Sequence, residues 1–357
     1  PDMLASDWDD SLAPMNRGGT AGAESMFVFF QLAHGADELI RLYRHAGLPE
    51  RVPAMQRVVD YCKAKLPEIW DGEWFIRAFT PEGEKFCTRE DAFNRIHLIP
   101  QAWSVLSRLA SPEQANLAMD KVMEYLYTDK GLITHWPASE GFDRRKKSYF
   151  LFPAGARENG GIFFHSNTWA IIAYAMLHRG EDAFTCYESI LPPRRNAIAD
   201  VCLTEPYVYS QTMLAPPHPR AGACVNAWLT GTASWTYLAA TQYILGIRPD
   251  YEGLLVDPQI PAAWPGFQAT RLCRGVPHHG GQRRGQGPDG RRPPPRGEPG
   301  AMETFTGCRG TAYCVNIVGR RSFAERTGRW CSSLEKKNLR AGGGPMADPR
   351  TPGGHGF

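Results

Sequence analysis

Gly160-Gly161-Ile162-Phe163-Phe164-His165-Ser166-Asn167-Thr168-Trp169-Ala170-Ile171-Ile172-Ala173-Tyr174-Ala175-Met176-Leu177-His178-Arg179-Gly180 decides how the rest of the chain is read. Ser166 is a favoured N-cap residue and Gly180 a stop signal, so the pattern predicts a helix over 167–180. Its apolar run, Ala170 to Leu177, is broken by Tyr174 and is far shorter than the roughly 20 residues of a membrane span. Outward from it, helical periodicity predicts further helices at 21–46, 52–66, 92–109, 112–127, 181–191 and 231–245. Gly47-Leu48-Pro49 stops the first, and Ser111-Pro112 starts the fourth with a cap and a first-turn proline. Strand signals are few, so the expected class is all-α, with helical hairpins packed around a common axis. Long loops at 67–91, 128–166 and 192–230 then share one face, where function is expected.

After Gly246 the pattern changes. Ile247-Arg248-Pro249 ends the last helix and Leu254-Leu255-Val256-Asp257-Pro258 reads as a short strand. Three regions follow: a helical domain over 1–246, the start of a small β-rich segment over 247–275, and a tail over 276–357. From Arg274 onward lie half of the chain's 36 glycines and the run Arg291-Arg292-Pro293-Pro294-Pro295-Arg296. That composition cannot bury a core, so the tail is expected to be low-complexity and disordered, or the product of a shifted coding frame. The chain opens at Pro1 with its first motif at the very edge, which leads to the expectation of a preceding N-terminal portion.

The formal charge of +3 hides an asymmetry: residues 274–357 carry 15 Lys/Arg against 6 Asp/Glu, and the remainder 25 against 31. The body has no basic, aromatic-interleaved motif, so neither a nucleic acid nor a membrane is an expected partner. The nine cysteines (62, 87, 186, 202, 224, 273, 308, 314 and 331) show no CxxC spacing. They read as reduced core residues of a cytoplasmic protein rather than metal ligands or a disulfide frame.

Three constellations carry chemistry. Asp7-Trp8-Asp9-Asp10 places three carboxylates around one indole, an apolar platform for a pyranose beside acids that raise one another's pKa. The same residues also suit a capping cluster at a helix start. His165 sits where a helix N-terminus offers free N–H groups to an anion, or it simply packs at the loop–helix junction. In Asn226-Ala227-Trp228-Leu229-Thr230-Gly231-Thr232-Ala233-Ser234-Trp235, Thr230 is an N-cap with Gly231 exposing N–H groups, again an anion geometry or only a cap. Upstream, Glu205-Pro206-Tyr207-Val208-Tyr209-Ser210-Gln211 offers aromatic and amide groups for a hydroxyl-rich ligand, or a loop packed by its tyrosines.

Taken in order, Asp7-Trp8-Asp9-Asp10, Gly155-Ala156-Arg157-Glu158-Asn159-Gly160-Gly161-Ile162-Phe163-Phe164-His165-Ser166-Asn167-Thr168-Trp169, Glu205 to Gln211, Trp228 to Trp235, and Ile247 through Phe267 resemble glycoside hydrolase family 94, most of all its cellobiose-phosphorolysing members. The resemblance covers about residues 1 to 275. It implies a partial (α/α)6 barrel of about seven helices. It also implies Asp10 as the general acid, with Asp7 and Asp9 as neighbours and Trp8 lining the donor-sugar site. His165, Gln211, Thr230 and Gly231 would contact phosphate, and Phe152 and Arg157 the acceptor sugar. No organic cofactor or metal is implied, since inorganic phosphate is a co-substrate, and the full-length protein is expected to be a homodimer.

The reaction so implied is inverting phosphorolysis of a β-glucosyl disaccharide to α-glucose 1-phosphate and free sugar. Phosphate is already an anionic nucleophile, so one acid suffices, whereas an inverting hydrolase needs a second carboxylate to activate water. Two alternatives stay open: an inverting hydrolase with Glu205 as base, and an inactive carbohydrate-binding fragment. The acceptor also stays open among glucose, gluconate, a cellodextrin and N-acetylglucosamine.

Overall fold

In the computed structural model, which describes residues 7–16, 22–141, 149–251, 253–273 and 313–320, helices alternate with very short antiparallel strands. A 3-10 turn, Asp10–Asn16, comes first and is anchored by Leu12 and Met15, which are buried against Phe86, Tyr149 and Phe150. Strand β1 (Glu24–Ser25) leads into α1 (Met26–His45), capped by Ser25 Oγ, which accepts from Val28 N at 3.1 Å. Next come α2 (Val52–Ile69), β2 (Ala78–Phe79), β3 (Lys85–Phe86), β4 (Ile96–His97) and α3 (Leu98–Leu106). Helix α4 (Pro112–Leu126) starts in a full capping box between Ser111 and Gln114. Strands β5 (Tyr127–Thr128), β6 (Gly131–Leu132), β7 (His135–Trp136) and β8 (Ile162–Phe163) precede α5 (Phe164–Met176) and α6 (Gly180–Ile190). Then follow α7 (Ala199–Cys202), β9 (Ser210–Met213), β10 (Cys224–Ala227) and α8 (Thr232–Leu238), which runs on as a π-helix to Ile244.

Burial sorts these helices into two layers. All nine residues of α3 and eleven of the thirteen in α5 are buried, whereas α2 buries four of eighteen. A helix apolar all round belongs inside and one with a single apolar stripe at the surface. The contacts agree: α1, α3, α5 and α8 pack side by side, while α2, α4 and α6 pack on α1, α3 and α5 respectively. Each large apolar side chain so enclosed, such as Trp169, Ile171 or Ile172, stabilises the fold by roughly 1.5–3 kcal/mol.

The expected all-α class is overturned by the strands. They pair as β1-β2-β3, β10-β9-β8, β4-β7 and β5-β6, all within the region expected to be purely helical. Most are two residues long, so they give no alternating pattern, yet they satisfy the backbone groups of the long loops. They also displace helix starts. Helix α1 begins after β1 at Met26 rather than at 21, and α3 after β4 at Leu98 rather than at 92. Ser166 is not the cap of α5: the helix opens at Phe164 with Phe163 as N-cap, and Ser166 Oγ donates back to Phe163 O at 2.9 Å.

Helix α8 ends where Gly246 (φ +66°) turns the chain into an antiparallel hairpin, β11 (Ile247–Asp250) with β12 (Gly253–Val256). All these elements lie in one compact unit, whose described residues run from 7 to 264. A second unit holds β13 (Gly266–Cys273), paired antiparallel over its whole length with β14 (Tyr313–Arg320). Apart from residues 313–320, the tail expected over 276–357 lies outside the described residues. Among the described residues no helix is long and apolar enough to cross a membrane.

Candidate active site

Four separate stretches of chain meet at one cavity of about 230 Å³, lined by Trp8, Asp10, Arg157, Glu158, Phe163, His165, Gln211, Leu229, Thr230 and Gly231. Seven of the eight residues singled out from sequence are therefore brought together. The eighth, Phe152, lies just behind, with the Arg157 guanidinium carbon 4.5 Å from its ring centroid. Of the loops expected to share the functional face, 128–166 and 192–230 supply lining residues, while 67–91 supplies Arg77 behind the wall.

Asp10 is exposed at the start of its 3-10 turn, and its two acidic neighbours are buried behind it. Asp7 Oδ1 accepts from Arg77 Nη2 at 2.7 Å and from Asp9 N at 2.9 Å, and Asp7 also accepts from the Ser25 hydroxyl. Burial pushes the Asp7 carboxyl up, but the Arg77 guanidinium and the hydrogen bonds outweigh it and hold Asp7 below its ordinary value. Asp9 Oδ1 accepts from Ser11 Oγ at 2.5 Å. Complete burial, only partly offset by Arg77 and reinforced by Asp7, raises Asp9 to about 7. Its other oxygen faces His97 Nε2 at 3.4 Å. Burial and then the Arg77 charge hold that imidazole well below its ordinary value, so it is neutral at pH 7. Asp7 and Asp9 thus carry and orient the loop without lining the cavity.

Trp8 stands edge-on in an aromatic cluster, its ring 4.4 Å from Phe163 and 5.4 Å from Trp169, centroid to centroid. His165 occupies the first turn of α5, 4.7 Å from Trp169. Its Nε2 is buried with no hydrogen-bond partner, and burial lowers the ring to about 4. Such a neutral imidazole needs a polar ligand to complete it. Thr230 Oγ1 accepts from Thr232 N at 3.1 Å and so caps α8, although the formal N-cap residue is Gly231. A side chain on Gly231 would start 3.4 Å from His165 Cε1, so its absence leaves the imidazole open on that side. Gln211 projects from β9, its Oε1 accepting from Asn226 Nδ2 on β10 at 2.9 Å.

The loop that delivers Arg157 and Glu158 is stapled by Asn159. Its Nδ2 donates to Phe152 O at 2.6 Å and Ser139 O at 3.0 Å, and its Oδ1 accepts from Ser139 N at 2.8 Å. Gly155 (φ +80°) lets the loop lie directly on Ala215, whose N–H donates to Gly155 O at 2.8 Å. Three lining residues, Glu158, Phe163 and Leu229, were not singled out from the sequence, and of these Glu158 alone is titratable. Its side chain is 2 % exposed and its Oε2, 3.7 Å from Arg157 Nε, has no hydrogen-bond partner. Burial first, then the charge of Asp9, raises it to about 7. Only its place between Arg157 and the stapling Asn159 hinted at this position.

Glu205, the base of the hydrolytic alternative, does not reach the cavity. It accepts from Trp228 Nε1 at 3.0 Å on the exposed outer side of the 203–230 segment.

Comparison with known proteins follows the same segments. N,N'-diacetylchitobiose phosphorylase of Vibrio furnissii is 38 % identical over 285 residues, covering 77 % of this chain and 34 % of that protein. Solabiose phosphorylase of Paenibacillus borealis is 33 % identical over 273 residues, covering 75 % and 35 %. The chain spans about a third of the length of each of these two relatives. A solved sialidase superposes with a TM-score of 0.50 over 68 % of this chain and 22 % of its own at 12 % identity, a likeness of fold alone. Residues 1–246 match the glycosyl hydrolase 94 superfamily, catalytic domain, a span that takes in every segment meeting at the cavity; the chain belongs to that family.

Proposed function

We propose that the cavity is the phosphorolysis site of a disaccharide phosphorylase, which cleaves a β-glucosyl disaccharide of cellobiose type with inversion to give α-glucose 1-phosphate and a free sugar. The observation that carries this is the convergence of an exposed carboxyl, Asp10, with the unpartnered Nε2 of His165 and the Thr230-Gly231 turn on one small cavity. Family membership supports it, since relatives in the family are phosphorylases of diacetylchitobiose, solabiose and cellobionic acid.

Asp10 would donate its proton to the glycosidic oxygen as the bond to the leaving sugar breaks. Phosphate, already anionic, would attack the anomeric carbon from the opposite face, held by His165, Gln211, Thr230 and the Gly231 backbone. A bound phosphate favours the charged imidazole, so His165 would take up a proton as the anion enters. Trp8 gives the donor ring an apolar wall, and Arg157 with Phe152 flanks the acceptor. Glu158, half protonated near neutrality, can both donate to and accept from sugar hydroxyls, which accounts for its unpartnered oxygen.

Glu158 is also the observation that favours a second reading, inverting hydrolysis, because it puts a second carboxyl in the cavity. Against it, a base that activates water must be ionised, and burial keeps Glu158 largely protonated below pH 7. The synthetic direction tests the phosphorylase assignment and its substrate together. Glucose 1-phosphate is supplied with glucose, gluconate, cellodextrins or N-acetylglucosamine, and phosphate release is followed. Release with glucose supports a cellobiose-type enzyme. Release with N-acetylglucosamine alone moves the acceptor towards that of the Vibrio relative, and no release with any acceptor refutes the assignment.

A further inference from the structure

Cys202 closes α7 and Cys224 opens β10, and their sulfurs lie 3.0 Å apart across 22 residues of sequence. Neither lines the cavity. We propose that they form a redox-convertible dithiol whose disulfide, made by exchange with a low-molecular-weight disulfide such as oxidised glutathione, ties together the two ends of the 203–223 loop that carries Gln211.

The pair differs from Cys62 and Cys186, which are buried, and burial drives the Cys186 thiol upward into an inert state. At the Cys202–Cys224 contact one thiol donates a hydrogen bond to the other sulfur. The hydrogen bond from Cys224 lowers Cys202, with further help from Thr204 Oγ1 at 3.2 Å and the charge of the buried Arg195, while the same bond raises Cys224. Access is divided: Cys202 is buried and Cys224 is half-buried, so a small disulfide meets Cys224 first.

Cys224 gives up its proton and attacks one sulfur of the external disulfide, forming a mixed disulfide and releasing one thiolate, which takes that proton. Cys202 then gives up its proton and attacks the Cys224 sulfur, expelling the second thiolate. The two protons of the original thiols end on the two small thiols released, and the protein pair is oxidised by two electrons as the small disulfide is reduced. A covalent clasp here acts on the cavity wall. The far half of the loop is held by the β9–β10 ladder, in which Cys224 stands opposite Met213, whereas the 203–209 half that Cys202 opens is tied by Arg195 Nη2 donating to Val208 O at 2.9 Å and by Trp228 Nε1 donating to Glu205. Strand β10 then runs within a few residues into Thr230-Gly231.

The test equilibrates the full chain with graded ratios of reduced and oxidised glutathione, traps thiols with acid and an alkylating agent, and maps peptides by mass spectrometry. The expected product is a Cys202–Cys224 linked peptide lighter by two hydrogens. Amide exchange over 209–213 and 226–231 should then slow by about tenfold or more, and the thermal midpoint should rise by on the order of 5 °C. Cys202→Ser and Cys224→Ser should each lose all three effects; because the peptide map is made on the unsubstituted chain, it stands even if a variant folds poorly. Both cysteines remaining reduced until the protein unfolds, Cys224 arrested as a glutathione mixed disulfide, or a linked peptide with unchanged exchange would each overturn the proposal.

Discussion

Arg77 Nη2 donates to Asp7 Oδ1 at 2.7 Å in an ion pair whose side chains are 0 and 1 % exposed, joining the motif that ends in Asp10 to the loop after α2. Breaking such a pair from one side leaves a buried charge without compensation. Arg77→Met is therefore expected to destabilise the protein by about 3–5 kcal/mol in denaturant unfolding. Adding Asp7→Asn should recover part of that loss, giving a double variant well short of additive. Equal and additive losses would show that the pair does not hold the loop.

Glu158 makes stability depend on pH in a definite direction. Its carboxyl ionises at about 7 when folded, against an ordinary 4.5, so between those values the folded chain binds more protons than the unfolded one. Its contribution is present in full below about pH 4.5, is lost as pH rises to about 7, and is constant above. Glu158→Gln removes this dependence. The variant's stability relative to the parent should climb through that window by up to about 3 kcal/mol. His97, His135 and His165, all lowered by burial, run the opposite way, so the difference between variant and parent is the quantity to measure.

Gly155 is a place where backbone geometry and site geometry are one requirement. At φ +80° a Cβ would fall 2.0 Å from Ala215 O. Gly155→Ala should cost about 3 kcal/mol or more and, in whatever fraction folds, move Arg157 and Glu158 out of register. The expected signature is a raised KM for the sugar beside a lowered melting temperature. A variant with unchanged KM would show that the loop tolerates the shift.

His165→Ala removes the unpartnered Nε2, together with the packing of the imidazole against Trp169. Loss of one hydrogen bond to an anion should weaken phosphate binding by about tenfold to a hundredfold. Isothermal titration with phosphate measures it, and an affinity within a factor of two of the parent would remove His165 from the phosphate site.

What could be read along the chain was local. Helix α5 announces itself by its apolar run, although it ends at Met176 and Gly180, expected to stop it, instead opens α6; α4 announces itself by Ser111-Pro112. The short strands could not be read, because a two-residue pair such as Ile96-His97 with His135-Trp136 is defined by partners 40 and 38 residues away and has no period of its own. Asp10, His165 and Thr230 stood out through their immediate neighbours. Glu158 did not, since what makes it unusual is burial against Arg157 and the charge of Asp9, supplied by a segment about 150 residues earlier. Arg77 and the Cys202–Cys224 contact were hidden for the same reason: each has its meaning only in a partner that folding brings to it.

The central claim is that Asp10 protonates a glycosidic bond while phosphate, not water, attacks. The direct measurement is sugar release from the disaccharide with and without inorganic phosphate, by the parent and by Asp10→Asn, with the anomer of the product read by NMR. The account predicts release only with phosphate, an equal amount of α-glucose 1-phosphate, and loss of turnover in Asp10→Asn to below a few per cent, with its melting temperature little changed. Release without phosphate, or an Asp10→Asn variant that keeps substantial activity, would contradict it.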